Sequence, residues 1–263
     1  MKLSSVIFLI VSAVIIIAGI SCTVIADNIA KDDGIKIYNV IKDDSGDYVC
    51  EYVFENFLPE KISLSAEKLT VNVYGNSDEN KIVYKNFPKG TFTLSYSNRV
   101  FELKTNEEFL DYVNPESVIK NFKGIRDYLT FPFCLNKEKT VDVYLNSASA
   151  LRFLEINAEE LMSDISDIST QTEYSIYCSD GNVNFKNVNS NNKVKIDIKN
   201  GNFTAKDSKL FESIINIESG NVDMSNCELI SSDITVSSDS GTININGEKY
   251  TNLYSASKDS IIE

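Results

Sequence analysis

The sequence predicts an all-β protein: a β-solenoid-like repeat domain with a small helical insert, preceded by one N-terminal transmembrane helix. Three observations predict this fold class: an uncharged apolar run at residues 6–26, several stretches in which apolar and polar residues alternate, and a glycine that recurs about every 20 residues near the C-terminus. Alternation with period two is typical of strands with one buried face, and a fixed period of this length is typical of stacked repeats.

The apolar run at residues 6–26 has the length of a membrane-spanning helix. It contains no charged residue, and as a helix it would extend about 31 Å, close to the thickness of a bilayer core. Lys2 precedes the run, whereas Asp27 and other charged residues follow it. The positive-inside rule therefore predicts a single-pass protein of the cell membrane, with the N-terminus inside, the C-terminal domain outside and the lipid bilayer as a partner.

Two other interpretations of this run remain open. Val24-Ile25-Ala26 would fit the cleavage site of a secretory signal peptide. Cys22 would be the lipid acceptor if the run were a lipoprotein signal, although Gly19 stands where such signals usually have a branched apolar residue. All three interpretations carry the rest of the chain across the membrane.

The middle of the chain is predicted to be the first part of the β domain. Residues 27–50 are rich in Lys, Asp and Gly and are predicted to be a linker. Strands are predicted within 61–75, 81–87, 91–105 and 139–147, because apolar and polar residues alternate there. A capping-box pattern at Thr105 and helical spacing after Pro115 predict short helices at 106–113 and 116–128, so that a helical insert covers about 106–128. The β domain as a whole is predicted over 51–248, with a tail at 249–263.

Four stretches within 174–248 align on a glycine that is followed by Asn or Thr. Two short strands per unit are predicted, joined at a turn in which the glycine has a positive φ or allows a close backbone approach. The glycines are Gly181, Gly201, Gly220 and Gly241; Asn182, Asn202 and Asn221 follow the first three. The fourth unit is aligned with Val236 opposite Ile215 and with Ser238 opposite Ile217. The predicted repeat core is Ile176, Ile196, Ile198, Phe203, Ile215, Ile217, Val222 and Ile243.

Stacking of these units is the physical reason to expect a solenoid. A single unit cannot bury its apolar side chains alone, so neighbouring units must cover it. An antiparallel sandwich is the rival fold, but a register kept over four units favours the solenoid. The three asparagines could then form a hydrogen-bonded ladder with a structural role. A degenerate unit at 154–168, with Leu161 in place of the glycine, is predicted to be an entry coil or cap.

Composition excludes several kinds of function. The net charge of −13 argues against nucleic-acid binding, because an acidic surface repels phosphate backbones. The absence of histidine removes Ser-His-Asp and Cys-His catalysis and the commonest zinc ligand. Asp180, Asp207 and other acidic residues of the repeats fall at different offsets from the glycine and are interpreted as solvated charges. We therefore expect no catalytic residue, no metal site and no cofactor, and a chain that is not an enzyme.

The cysteines do not determine a disulfide pattern. Cys50, Cys134, Cys178 and Cys227 are far apart in sequence, and four cysteines permit three pairings. The favoured interpretation is that they are small buried apolar residues.

The order of these stretches resembles a known family. EYVFENF, LSAEKLTVNVYG, KTVDVYLNS and LEINAE, followed by the serial glycine-asparagine units, resemble the DUF4097 family over residues 51–248. That family is labelled "putative adhesin" and is related to the toast-rack group of bacterial envelope domains. The resemblance implies a β-solenoid-like domain outside a single membrane span, and it brings no catalytic residues.

Three functions are consistent with these observations. The first is a membrane-anchored binding or scaffold protein, an adhesin with a surface glycan or a protein as its ligand. The alternative is an envelope sensor that acts with another membrane protein, and a remote alternative is a carbohydrate-active enzyme. A long repetitive surface with polar faces favours the first, because solenoids use such surfaces for extended contacts.

Overall fold

The computed structural model describes residues 59–78, 80–87, 92–105, 138–146, 151–169 and 171–256, together with the backbone of two strands nearer the N-terminus. The secondary structure in these ranges is β throughout, without a helix. In particular, the described residues include no helix that is long and apolar enough to span a membrane. The predicted membrane segment at 6–26 and the predicted helices at 106–113 and 116–128 lie outside the described residues.

The strands fall into a long central set and shorter ones at its two ends. The long strands are β3 (Lys61–Tyr74), β8 (Phe153–Ser166), β9 (Glu173–Lys186), β10 (Asn189–Lys206) and β11 (Lys209–Ser225). The shorter ones before them are β1 (Tyr38–Lys42), β2 (Tyr48–Val53), β4 (Lys81–Lys85), β5 (Phe92–Ser97), β6 (Val100–Thr105) and β7 (Thr140–Tyr144). Those after them are β12 (Glu228–Ile230), β13 (Ser232–Val236), β14 (Thr242–Ile245), β15 (Glu248–Tyr250) and β16 (Leu253–Ala256).

Each long strand is bent and forms most of one coil of the solenoid. In β9, side chains at 174, 176 and 178 are buried on the first straight part, and those at 183 and 185 are buried on the second. The buried positions are even-numbered before the bend and odd-numbered after it. Since side chains alternate along a strand, this shift lets the apolar side chains of both parts face the interior. Asn187 then turns the chain with a φ of 52°, and a short third part at 188–190 completes the coil.

Successive coils pair in parallel with aligned residues. Ile196 of β10 lies opposite Ile176 on one side and Ile215 on the other, so the coil lengths are close to the predicted 20 residues. The parallel pairing continues through β8 and β3. The fold is therefore the predicted all-β solenoid type, and the antiparallel sandwich is wrong for the repeats.

The first coil of the stack does not come first in the chain. β6 and β7 both pair in parallel with β3, β6 along the first part and β7 along the second, on the side away from β8. The order in space is thus β6 with β7, then β3, then β8. The coil at 154–168 that was predicted to be an entry coil or cap is an internal coil, because β3 covers it on one side and β9 covers it on the other.

Antiparallel strands close both ends of the stack. β5 pairs with β6 and β4 pairs with β7 at one end, and β2 extends the sheet beyond β4. At the other end β16 pairs with β13, and β15 pairs with β14. β1 and the start of β2 lie within the predicted linker at 27–50, and β15 and β16 lie within the predicted tail at 249–263 or at its border, so both predicted segments contain strands.

The core is a continuous stack of side chains from equivalent positions. All eight predicted core residues are buried, with at most 1% of their surface exposed. An aromatic row runs through the interior, where the ring centroid of Phe185 lies 5.2 Å from that of Tyr174 and 5.3 Å from that of Phe203. Buried methyl, methylene and ring groups of this kind supply the main stabilisation of the coil, because one coil alone could not remove them from water.

Candidate binding surface

The repeat glycines mark the bend between the two parts of a coil. Gly201 lies opposite both Gly181 and Gly220. Its φ is 145°, and a Cβ added to it would lie 1.7 Å from the carbonyl oxygen of Gly181. The predicted close backbone approach is therefore present, but no turn separates two strands here, because the strand continues through the glycine.

The last unit differs from the others at this point. Gly241 follows a real turn, in which its N–H donates to the carbonyl oxygen of Ser238 at 3.0 Å. Val236 pairs with Ile217, and Ile234 pairs with Ile215. The predicted alignment of Val236 with Ile215 and of Ser238 with Ile217 is thus wrong by two residues, because the turn adds two residues between the buried valine and the glycine.

The asparagines after the glycines stack on one another along the outside of the second part of each coil. The Nδ2 of Asn202 donates to the Oδ1 of Asn182 at 2.9 Å, and the Nδ2 of Asn221 donates to the Oδ1 of Asn202 at 3.1 Å. The same oxygens also accept the backbone N–H groups of Asn202 and Asn221. The row begins at Met162, whose sulfur lies 3.6 Å from the Nδ2 of Asn182, and it ends at Thr242.

A second polar row lies beside the first, two residues further along each strand. It includes carboxylates, amides and one hydroxyl, each bonded to a neighbouring coil. Asn184 donates to Asp164 at 2.8 Å, and Thr204 donates to Asn184 at 2.6 Å. The members in stacking order are Asp142, Asn72, Asp164, Asn184, Thr204, Asp223 and Asn244. We call the two outward rows together the ladder face.

A third row, at the second corner of each coil, was not found by sequence reasoning. Asp167, Asn187, Asp207, Asn226 and Asn246 all have φ between 51° and 57°. Asn187 donates to Asp167 at 2.9 Å, and Asn226 donates to Asp207 at 2.7 Å. Asn and Asp tolerate this left-handed conformation better than other residues with a Cβ, which explains their recurrence at the corner.

A family model for this fold matches the sequence. The model described as "Toastrack DUF4097" matches residues 60–261. This chain belongs to the Toastrack DUF4097 family. The matched range begins at β3 and continues past β16, so the family domain includes the antiparallel strands at the C-terminal end of the stack, which the predicted boundary at 248 excluded.

Solved structures and curated proteins give two further comparisons for this Toastrack protein. A crystal structure of a putative cell adhesion protein from Clostridium sporogenes is similar over 76% of this chain and 98% of that chain, at 13% sequence identity and a TM-score of 0.45. No curated protein matches the sequence.

The acidic residues singled out in the repeats are exposed, as the sequence suggested, and some of them also accept hydrogen bonds from a neighbouring coil. Asp207 accepts a hydrogen bond from Asn226 in the corner row, and Asp223 accepts one from Asn244 on the ladder face at 3.3 Å. Within the described residues, no group of three or more His, Cys, Asp or Glu side chains is arranged to hold a metal ion. Several acids of the repeats thus accept hydrogen bonds from the next coil.

Two cysteines of the Toastrack domain are buried free thiols. Cys178 lies in the stack opposite Ile198 and Ala158, which are both apolar. Burial raises the pKa of the Cys178 thiol to about 11, and Asp180 adds to the shift. Burial also raises the pKa of Cys227. A thiol with a raised pKa carries little thiolate at neutral pH, so neither residue has the character of a nucleophile.

A groove lies at the first bend of β3 and β8. Lys68 and Glu160 form an ion pair of 2.5 Å at its side, and both side chains are more than half exposed. Leu69 and Leu161 form its floor, where the later coils have glycine. Leu161 is 1% exposed, and it fills the inside of the bend.

Proposed function

We propose that this Toastrack protein is a non-catalytic binding module of the cell surface. In this proposal residues 6–26 anchor it in the membrane, with the N-terminus inside, and the solenoid binds a surface glycan or a protein ligand on the outside. The observation that carries the proposal is the ladder face, in which two adjacent rows of amide, hydroxyl and carboxylate groups repeat at the spacing of the coils.

The ladder face suits binding because its side chains are held in place before a ligand arrives. Each Asn or Thr of the rows is bonded to the coil before it or after it. Side chains that are already ordered lose less conformational entropy when a ligand binds, which improves affinity for a given number of contacts. A carboxylate oxygen or an amide oxygen in the rows can also accept more than one hydrogen bond, so the rows retain capacity for a ligand.

The charge of the chain restricts the class of ligand. At −13, the protein repels polyanions such as nucleic acids. Two exposed carboxylates of the ladder face, Asp164 and Asp223, add negative charge there. The third, Asp142, is only 7% exposed and forms an ion pair with Lys85. A neutral or cationic ligand rich in hydroxyl or amide groups therefore fits this surface best.

The spacing and the hydrogen bonding of the acidic residues favour binding without catalysis. Hydrolysis of a glycosidic bond generally requires two carboxyl groups that flank one bond. On the ladder face, Asp164 and Asp223 are separated by two intervening coils and are each bonded to an asparagine. Asp142 lies nearer to Asp164, with only Asn72 between them, but it is buried and paired with Lys85. This arrangement suits contact with a ligand more than attack on it.

Two measurements test the proposal. Intact cells that express the full chain with a C-terminal tag are treated with protease; loss of the tag, while a cytoplasmic control survives, is the expected result. A tag that stays protected in spheroplasts would overturn the surface location.

The second measurement is attachment of these cells to other cells and to immobilised glycans. The variant Asn184→Arg/Thr204→Arg places two large cations on the ladder face, and Ser175→Arg places one on the exposed side of the first part of β9. We expect the first variant to lose attachment and the second to keep it. Equal attachment by both would contradict a role for the ladder face.

A further inference from the structure

The outward row next to the ladder face contains a pair of stacked tyrosines at one end. Tyr74 of β3 and Tyr144 of β7 lie opposite each other, with ring centroids 5.2 Å apart and an angle of 25° between the rings. On the far side of Tyr144, the Nζ of Lys81 lies 5.4 Å from the ring centroid. The rings therefore stack along the solenoid axis, and a cation covers the outer end of this short row.

The other end of the tyrosine pair faces a small residue. The register partner of Tyr74 in β8 is Ser166, and the partner of Ser166 in β9 is Lys186. A serine side chain is too short to cover a tyrosine ring. Tyr74 is 37% exposed, and the space between its ring and Lys186 spans two strand spacings, about 10 Å. A ligand ring stacked on the exposed side of Tyr74 would therefore lie above Ser166.

Polar groups lie on both sides of this position. Asp164 stands two residues before Ser166 on the ladder face, and Asp167 follows Ser166 in the corner row. Each of them uses one carboxylate oxygen to accept a side-chain amide N–H of the next coil: Asp164 from Asn184 in β9, and Asp167 from Asn187 at the corner after β9. A carboxylate can accept about four hydrogen bonds in all, so both retain acceptors for hydroxyl groups.

We propose that Tyr74, Ser166, Asp164 and Asp167 form a binding subsite for one neutral pyranose ring of a glycan. A pyranose has an apolar face of C–H groups, which packs on an aromatic ring, and a rim of hydroxyl donors, which match the two carboxylates. The same carboxylates disfavour anionic sugars. This inference rests on the proposed binding function and assigns it a chemical class of ligand and a place.

The neighbouring tyrosine on the other outward surface shows why this position is distinct. Tyr177 is 38% exposed, nearly the same as Tyr74. However, the Nζ of Lys199 lies 6.0 Å from its ring centroid, and the pKa of Lys199 is raised by its contact with this tyrosine. Because its ring already has a cationic partner, Tyr177 provides a control of matched exposure.

The test uses the full chain, purified in a detergent without a sugar headgroup. Neutral tetrasaccharides of glucose, N-acetylglucosamine, galactose and mannose are titrated, and binding is followed by saturation-transfer NMR and by tyrosine fluorescence, since the chain has no tryptophan. Choline chloride is titrated as a cationic probe. The variants are Tyr74→Ala, Ser166→Phe, which fills the space above the serine, and Tyr177→Ala.

We expect at least one tetrasaccharide to bind, with affinity at least tenfold weaker in Tyr74→Ala and in Ser166→Phe and unchanged in Tyr177→Ala. Circular dichroism confirms that each variant is folded, and Tyr74→Phe, which keeps the ring, should retain binding. The inference is overturned if no tetrasaccharide binds, if Tyr74→Ala binds as well as the unchanged protein, or if choline binds and the sugars do not. In each of these cases, cell attachment that still depends on the ladder face would leave the proposed function standing.

Discussion

The carbonyl oxygen of Gly181 lies 1.7 Å from the position that a Cβ of Gly201 would take. The backbones of the two coils are therefore so close that no side chain fits at Gly201. The same relationship holds between Gly201 and Gly220. In the coils that have it, glycine is therefore required at the bend by steric exclusion as well as by its φ. The coils of β3 and β8 have Leu69 and Leu161 at the equivalent place.

Gly201→Ala should strongly destabilise the domain. Its Cβ would overlap backbone atoms of Gly181, which cannot move without disturbing the adjacent coil. The free energy of unfolding should therefore fall by about 3 kcal/mol or more. Gly247→Ala is the control, because Gly247 also has a positive φ, 89°, but its Cβ would meet nothing within 4 Å. Urea unfolding measures both; similar losses would show that the conformation of the backbone, and not the contact, requires glycine.

Ile198→Asp should unfold the domain. Ile198 is 1% exposed between Cys178 and Ile217, and a carboxylate there would have no partner in an apolar stack. We expect a loss of about 3–5 kcal/mol, enough to abolish a cooperative transition in a marginally stable protein. Ser219→Asp adds the same charge at an exposed position and should have little effect. A stable, cooperatively folded Ile198→Asp protein would contradict the inward orientation of this residue.

Asn202→Ala should lower the free energy of unfolding by about 1–2 kcal/mol, more than expected if the asparagine ladder contributed nothing to stability. Its Oδ1 accepts both the side-chain and the backbone N–H of Asn221, so truncation removes the acceptor of a main-chain group at the bend. Asn200→Ala, at an exposed position on the same strand, is the control. Chemical denaturation compares the two, and equal midpoints would show that the ladder contributes nothing to stability.

The free energy of unfolding should fall as the pH rises above about 9. Burial raises the pKa of Cys178 to about 11 and also raises the pKa of Tyr174. Between the unfolded and the folded pKa, the unfolded chain has already lost the proton that the folded chain keeps, so fewer protons are bound in the unfolded state and stability declines with pH. The fall should be on the order of 1 kcal/mol per group. Cys178→Ala should reduce it, and a flat profile up to pH 10.5 would contradict the burial of these groups.

Removal of residues 247–263 should make the protein self-associate. The deletion takes away β15 and β16, and the backbone N–H and C=O groups of β13 and β14 that pair with them would then be exposed. Exposed strand edges pair readily with other chains. Light scattering should show larger species for this variant than for one that ends at residue 256, in which both strands remain. A monodisperse truncated protein of unchanged size would show that these strands do not protect the edge.

The repeat could be predicted because equivalent positions of successive coils meet the same structural requirement with similar residues. Glycine at the bend and apolar residues at fixed offsets follow from close backbone approach and from stacking, and both leave a period in the sequence. The corner row at Asp167, Asn187 and Asp207 has the same period, and its left-handed φ values give a physical reason that the sequence alone could have suggested.

Other features could not be found from the repeat. β3 and β8 pair residue by residue across a separation of about 90 residues, from Lys61 opposite Phe153 to Tyr74 opposite Ser166. Neither strand has the glycine that anchored the alignment, since Leu69 and Leu161 occupy its place. The fourth unit was misaligned for the opposite reason: the glycine was present, but a two-residue insertion in front of it shifted the buried residues.

The position of β3 between β7 and β8 affects how the solenoid can fold while the chain is being synthesised from its N-terminus. β3 is complete at residue 74, but its partners on one side extend to Tyr144 and those on the other side end at Ser166. Both edges of β3 can therefore be paired only after about 90 further residues have been synthesised. From that point, each further coil of about 20 residues can pair with the free edge of the coil before it as soon as it has been synthesised.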